Sequence, residues 1–252
     1  MSVIVYPYQR GLRSTKKLRE AGCKVRYDTS RVRQGVAIGW GMQTPPPWYE
    51  RVTWINDPRY IGYVSNKRQW AALCTGYDVG LHYTCNKATA QAWAAERGQL
   101  VVCRTVLSGH SGEGIVIARN SEQVVDAPLY SIYFPKQREY RIIYSTITGI
   151  VYAASKRLRE DTALDRDDML VRTMDKGWVY QIETDIPPSV HARCTTVGQV
   201  LDRYGLHLLA YDVAYNTGSD EAMVIEANSA WGLNTHSAEL TVAAMEQIGE
   251  TL

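Results

Sequence analysis

The chain has 252 residues, 45% apolar and 21% charged, with a formal net charge of +2. That length buries a real core, and no run of about 18 apolar residues is present that could cross a membrane as a helix. Five scattered cysteines without a CxxC pair exclude a disulfide scaffold and point to free thiols in a reducing cytoplasm. The opening MSVIVYPYQRGLR sets its basic residues after a short apolar run, the reverse of a secretory signal. Seventeen tyrosines stand against one phenylalanine, Phe134, an imbalance with no functional reading at this level.

Residues 2–6 (SVIVY) read as a strand, 15–22 (TKKLREAG) as a short helix closed by Gly22, and 36–41 (VAIGWG) as a second strand. Three prolines at 45–47 then enforce a loop. Residues 1–60 form a small basic α/β region, too short for a full nucleotide-binding domain. Residues 1–70 carry thirteen Lys or Arg against four Asp or Glu, a local charge of +9, and the rest of the chain carries −7. Most of that excess lies between residues 10 and 33, a face that could attract nucleic acid or an acidic protein. The plain alternative is a solvated helix surface covering Leu12, Leu18 and Ala21.

From Asn66 the pattern changes to two helices, 67–76 and 87–98, ending at Gly76 and Gly98. A β-like run at 100–107 is followed by SGHSGEG and a second β-like run at 114–119. Gly109, Gly112 and Gly114 therefore lie in a flap between antiparallel strands, not in a loop that opens a helix. Such a flap could lay backbone N–H groups and the Ser111 hydroxyl over phosphates, although many glycine clusters are merely turns. Strands follow at 130–134 and on both sides of a Thr148-Gly149 hairpin turn, then a helix at 196–205. A last hairpin at 208–228 precedes a terminal helix from about Ser237 to Ile248.

That last hairpin carries the strongest signal. Centring its turn in NTGSDEA pairs residues whose numbers sum to about 438, which sets Asp212 opposite Glu226 with Asn228 on the same face as Glu226. Like charges facing one another on a sheet are destabilising, and a divalent cation would relieve the conflict. Two carboxylates and an amide oxygen are hard ligands suited to Mg²⁺, whose other positions water and substrate phosphates would fill. The alternative pairs Glu226 with a Lys or Arg. Beyond the hairpin, Gly232 sits at a sharp turn where its N–H could face a reacting oxygen. His236 and Ser237 begin the terminal helix, as substrate contacts or, respectively, as a structural histidine and a helix cap.

The order Lys67, Arg104, GHSGEGIVIA, EYR at 139–141, SKR at 155–157, AYDV and VIEANSAWGLN resembles the ATP-grasp ligases. The likeness covers roughly residues 61–240. It is nearest to the branch containing glutathione synthetase, ribosomal-protein glutamate ligase and D-alanine–D-alanine ligase, and the short amino-terminal part is similar to ATP-grasp proteins carried by bacteriophages.

The resemblance implies an α+β ATP-grasp fold in which two α+β subdomains clasp ATP. The small one, with the flap, would span 61–131, and the large one, with the metal site, 132–252. It implies nucleotide contacts from Lys67, Arg104, Gly109, Ser111, Gly112 and Gly114, and a hinge at 132–135 in which Tyr133 and Phe134 touch adenine. Glu139 would accept from the ribose. Asp212, Glu226 and Asn228 would hold Mg²⁺, as two ions, with Mn²⁺ able to substitute. Arg141, Lys156 and the Gly232 N–H would stabilise the reacting groups, with Arg157 and Arg172 as weaker candidates.

The implied reaction joins a small-molecule or peptide carboxylate to an amine through an acylphosphate, in the cytoplasm (of a bacterial host, if the gene is a phage's). A homo-oligomer is expected. Two departures from the family pattern stand out. Ala210 replaces an arginine that helps hold the oxyanion in some relatives. Trp231 replaces a proline in the trailing turn, where it would pack over the acceptor pocket. A small-molecule kinase on the same fold, or a nucleotide-binding protein without catalysis, are the competing readings.

Overall fold

The structure, a computed structural model, describes residues 3–28, 30, 34–107, 112–163 and 165–252, apart from the side chains of Arg166 and Asp167. Gly109 and Ser111, and Arg31 and Arg33 of the basic stretch, lie outside the described residues. Three sheets are stacked along the chain. The amino-terminal sheet is parallel throughout, in the order β2-β1-β3-β4. Its strands are β1 (Ile4–Pro7), β2 (Lys24–Val25), β3 (Gly35–Trp40) and β4 (Val52–Trp54). Helix α1 (Arg13–Glu20) buries Ser14, Thr15 and Leu18 against this sheet and leaves its cations outward, with Lys17 held by Glu20 at 2.8 Å.

Helices α2 (Gly62–Ser65) and α3 (Lys67–Tyr77) come next. Asn66 caps α3 by accepting from the N–H groups of Arg68 and Gln69. Expected to end at Gly76, α3 instead passes through that residue and stops at Asp78, whose φ of 54° is left-handed. The second sheet is antiparallel, in the order β5-β8-β6-β7, built from β5 (Tyr83–Thr84), β6 (Val101–Arg104), β7 (Ile115–Ala118) and β8 (Leu129–Ile132). It is backed by the alanine-rich α4 (Lys87–Ala95), whose Ala90 and Ala94 let the helix approach Val101, Cys103 and Tyr130 closely.

The third sheet is antiparallel and ordered β11-β10-β9-β12-β13. It contains β9 (Arg138–Ser145), β10 (Gly149–Leu158), β11 (Trp178–Ile182), β12 (Leu208–Asn216) and β13 (Glu221–Asn228), with α5 (Arg166–Leu170) between β10 and β11 and α6 (Pro188–Asp202) before β12. Gly149, at φ 82°, makes the tight β9–β10 turn. One face of this sheet packs Tyr140, Ile142, Tyr144, Tyr211 and Val213 against α6. The same cluster includes Ile61, Val64, Trp70, Leu73 and Val79, with Tyr83 of β5 packed against it, so α2 and α3 share the core of the large sheet and touch the edge of the flap sheet.

The amino-terminal region is not a free-standing unit either. The terminal helix α7 (Thr235–Thr251) returns to pack on α1, and its Val242, Met245 and Ile248 complete a core with Val3, Val5, Val36, Ile38 and Trp40. Asn56, fully buried, bonds the backbone of β12 twice: its amide donates to the Leu208 carbonyl at 2.6 Å and its oxygen accepts from the Leu208 N–H at 3.0 Å. The side chain thus acts as one more strand partner. Replacing Asn56 by Ala leaves both Leu208 groups without their partner, and is expected to lower the unfolding free energy by about 2–4 kcal/mol. The shift in urea midpoint at constant slope measures it, and an unchanged midpoint would remove Asn56 as the tie between the two regions.

Candidate active site

The antiparallel register places the charged residues of the large sheet in a row. Asp212 pairs directly with Glu226 on one side and with Arg141 on the other, and residues opposite one another share a face. Glu139 lies on that face two residues before Arg141. Lys156 pairs with Tyr180 on β11 and donates to Glu139. The face therefore reads, across the strands, Tyr180, Lys156, Glu139 with Arg141, Asp212, and Glu226 with Asn228.

A β-bulge fixes which side Glu226 takes. Asp212 opposes Glu226 but Val213 opposes Val224, so Ile225 is the extra residue. In a regular strand Val224 and Glu226, two residues apart, would point the same way. With the bulge, Val224 stays in the core while Glu226 turns to the charged face.

The facing carboxylates do not confront each other bare. Arg141 makes a two-pronged contact with Asp212, at 2.5 Å from Nε and 2.9 Å from its terminal nitrogen. Lys67, from the first turn of α3, forms an ion pair with Glu226. The protein thus supplies a cation to each acid, so their opposition does not by itself call for a metal, and Glu226 pairs with a lysine as the alternative had it. Among the described residues, no three His, Cys, Asp or Glu side chains gather as a metal cage. The available donors, two carboxylates and the Asn228 amide on an open face, form a half-shell of hard oxygens. Such a half-shell fits a cation whose other ligands are phosphate and water.

Glu139 takes a different place from the one expected. It is 3% exposed, held by Lys136 at 2.5 Å and by Lys156, so both its oxygens face lysines and not an open ribose pocket. Burial alone would raise its pKa, but the two ammonium groups outweigh that and hold it at about 2. Burial works against the Arg141 charge too, and Asp212 overcomes it, keeping the guanidinium protonated well above its ordinary range. The Tyr180 ring lies beneath both cations, 5.2 Å from Arg141 and 5.7 Å from Lys156, and burial together with Asp212 pushes its hydroxyl up to about 12. Arg157, by contrast, is turned away to Glu183 at 3.4 Å.

The flap sheet meets this part of the molecule at Tyr83 of β5, which packs against the core of the large sheet and whose hydroxyl feels both Arg104, at the end of β6, and Glu226. At the flap base Thr105 N–H donates to the Gly114 carbonyl at 2.7 Å, and a side chain at Gly114 would fall within 2.8 Å of Val106. A side chain at Gly112 would fall within 3.0 Å of Val171 and Thr173, so the flap rests on the segment after α5. That segment is tied to the hinge by Arg172, which donates to the Gln137 carbonyl at 3.0 Å and stacks on Trp178 at 4.5 Å; its own carbonyl accepts from Lys156 at 2.7 Å.

Next to the hinge opens a cavity of about 560 Å³, lined by Leu100, Tyr133, Pro135, Lys136, Gln137 and Leu170. The Tyr133 N–H is already given to the Leu100 carbonyl at 2.8 Å, and Pro135 has none. A hinge donor to a ligand there must come from Phe134 or Lys136.

At the far end of the face, Gly232 is exposed with open space where a side chain would be. Trp231 is not over an open pocket. It is 4% exposed and packs on Trp40 with ring centroids 4.3 Å apart, sealing the amino-terminal region to the large sheet. Ser237 is likewise engaged: it forms a capping box with Asn234, bonding in both directions at 2.8 and 3.0 Å, at the start of α7. His236 is exposed, edge-on to Tyr152 at 6.2 Å. Sequence reasoning missed Lys136 and Tyr180. Lys136 has a local signal, its i,i+3 spacing to Glu139, whereas Tyr180 has none, because its strand gave no distinct pattern.

Because the Glu139 carboxyl titrates near 2 against 4.5 when free, its contribution to stability is fully present above pH 4.5. It is lost as pH falls from 4.5 toward 2. Denaturant titrations of the unaltered chain and Glu139→Gln should show a stability gap that closes over that interval, and a gap independent of pH would contradict the pairing.

No protein-family model matches the sequence, and no curated protein matches it. Solved structures do. The ATP-grasp ligase PsnB complexed with minimal precursor aligns at a TM-score of 0.64 and 15% identity, covering 98% of this chain and 99% of that one. An ATP-grasp RimK domain protein from Sphaerobacter thermophilus aligns at 0.62 and 13%, covering 100% and 99%. The D-cycloserine synthetase DcsG aligns at 0.62 and 12%, covering 98% and 100%. PsnB has also been solved with its precursor, Mg and ADP. The chain has the ATP-grasp fold over essentially its whole length.

Proposed function

We propose that the protein is an ATP-dependent carboxylate–amine ligase that works through an acylphosphate and depends on Mg²⁺. The observation that carries this reading is the row Arg141, Asp212, Glu226 on one sheet face, together with a glycine flap resting on residues 171–173. A substrate carboxylate oxygen attacks the γ-phosphorus of ATP, the bond to the β-γ bridging oxygen breaks, and ADP leaves. The amine nitrogen then attacks the acyl carbon, loses a proton, and displaces phosphate.

In this scheme the triphosphate lies between the flap and the charged face, and adenine enters the hinge cavity beside Tyr133. Arg141 and Lys156 hold the transferring phosphoryl group, their charges fixed by burial and by their carboxylate partners. Asp212, Glu226 and Asn228 would hold Mg²⁺, which when bound neutralises phosphate charge and polarises the phosphoryl oxygens. Gly232 lies at an exposed turn, and in this scheme the oxyanion relies on its N–H and on Arg141 because position 210 is alanine. A peptide is a substrate class to test beside small molecules, in keeping with the precursor bound by PsnB. No described helix is long and apolar enough to cross a membrane.

ADP release should require both a carboxylate and an amine, read by coupled ADP detection with mass spectrometry of the products over a panel of amino acids and peptides. With an active pair in hand, Glu226→Ala should lower turnover by about a hundredfold or more. Near-normal turnover of that variant would overturn the assignment, and a stable phosphorylated product without free phosphate would make the protein a kinase.

A further inference from the structure

Lys67 and Glu226 are joined in an ion pair, with side chains 13% and 29% exposed. They lie 159 positions apart in sequence, and nothing in local structure demands the contact: Lys67 is the first residue of α3, where a side chain is free to reach solvent. Asn66 caps the helix and sets Lys67 over β13, while α2 packs on the same strand. Arg141 does for Asp212 what Lys67 does for Glu226, with two hydrogen bonds. Each carboxylate of the half-shell thus has a side-chain cation against it, Asp212 through both oxygens and Glu226 through Oε1.

We infer that Lys67 is an internal counter-ion that blocks the divalent-cation half-shell until a nucleotide arrives, so that metal and nucleotide enter together. This rests on the ligase reading above and adds an order of binding to it. A metal ion at Glu226 competes with the Lys67 ammonium for the carboxylate's charge, and an ammonium displaced from it needs another anion. A triphosphate under the flap supplies one. A divalent cation arriving alone meets a carboxylate already neutralised and leaves an ammonium stranded near it. Arg141 repeats the logic at Asp212, but its fork is more deeply buried and its release is correspondingly harder.

The inference has a consequence that a simple phosphate-binding role for Lys67 lacks. Removing the lysine should weaken nucleotide binding yet strengthen metal binding to the nucleotide-free protein. Mn²⁺ is the probe, followed by calorimetry and by electron paramagnetic resonance of the free ion, with and without a non-hydrolysable ATP analogue. Lys67→Met should bind Mn²⁺ without nucleotide about tenfold or more tightly than the unaltered chain, a difference that vanishes when Glu226→Gln is added. The thermal midpoint of Lys67→Met should also rise on Mn²⁺ addition alone by more than that of the unaltered chain, and Lys67→Gln should behave likewise if the methionine variant folds poorly.

Equal Mn²⁺ affinity in the unaltered chain and in both variants would overturn the inference. If Mn²⁺ still binds with the analogue and that binding is lost in Glu226→Gln, the ligase site survives such a result. Absence of Mn²⁺ binding even with the analogue present would overturn the metal site itself, and the inference with it.

Discussion

Three neighbouring positions, Arg141 on β9, Asp212 on β12 and Glu226 on β13, are locked side by side by the ladder of the large sheet. Two carboxylates directly opposed on a sheet repel, and partial burial multiplies the cost of each unpaired charge. The fold answers by placing a cation against every acid on the face: Arg141 for Asp212, Lys67 for Glu226, Lys136 and Lys156 for Glu139. Those same cations are the groups a polyphosphate would need. The face is therefore both self-neutralised and rich in positive charge that can be redirected, a combination that a surface of solvated lysines would not offer.

The rest of the molecule keeps that row in register. Behind it the large sheet is filled with tyrosine where many proteins use phenylalanine, Tyr144 stacking on Tyr211 with centroids 5.5 Å apart. The seventeen tyrosines thus find part of their explanation in the core and in clusters at its rim, such as Tyr60, Tyr63 and Tyr204. At one end of the charged face, Trp231, Asn56 and α7 weld the amino-terminal sheet in place. At the other, Arg172 ties the segment under the flap to the hinge.

Much of this was legible in the chain. The hairpin and its facing acids follow from the turn at 216–222 to within one residue: Asn216 pairs with Glu221, a register that would set Asp212 opposite Ile225, and a bulge brings Glu226 into that place. The flap between β6 and β7 followed from β-branched residues after the glycines. The partners of those acids were not legible. Lys67 and Arg141 reach them through long-range packing, and the adjacency of β9 to β12, strands that are not consecutive, leaves no local trace. Hence the electrostatic argument for a metal was sound in form but incomplete in its inventory. The bulge at Ile225 was hidden for a similar reason, since an extra residue in a run of apolar and polar side chains looks like ordinary alternation. Trp231 was read as packing over an acceptor pocket and Ser237 as either a substrate contact or a helix cap; Trp231 packs on Trp40, and Ser237 takes part in the capping box of α7.

The most direct test is a crystal structure of the protein with Mg²⁺ and a non-hydrolysable ATP analogue. The account predicts the triphosphate over the face of Arg141, Lys156, Asp212 and Glu226, beneath the flap. It predicts the metal on the two carboxylates and Asn228, with the Lys67–Glu226 pair broken. Nucleotide bound elsewhere, with both ion pairs of the carboxylate hairpin intact, would contradict it.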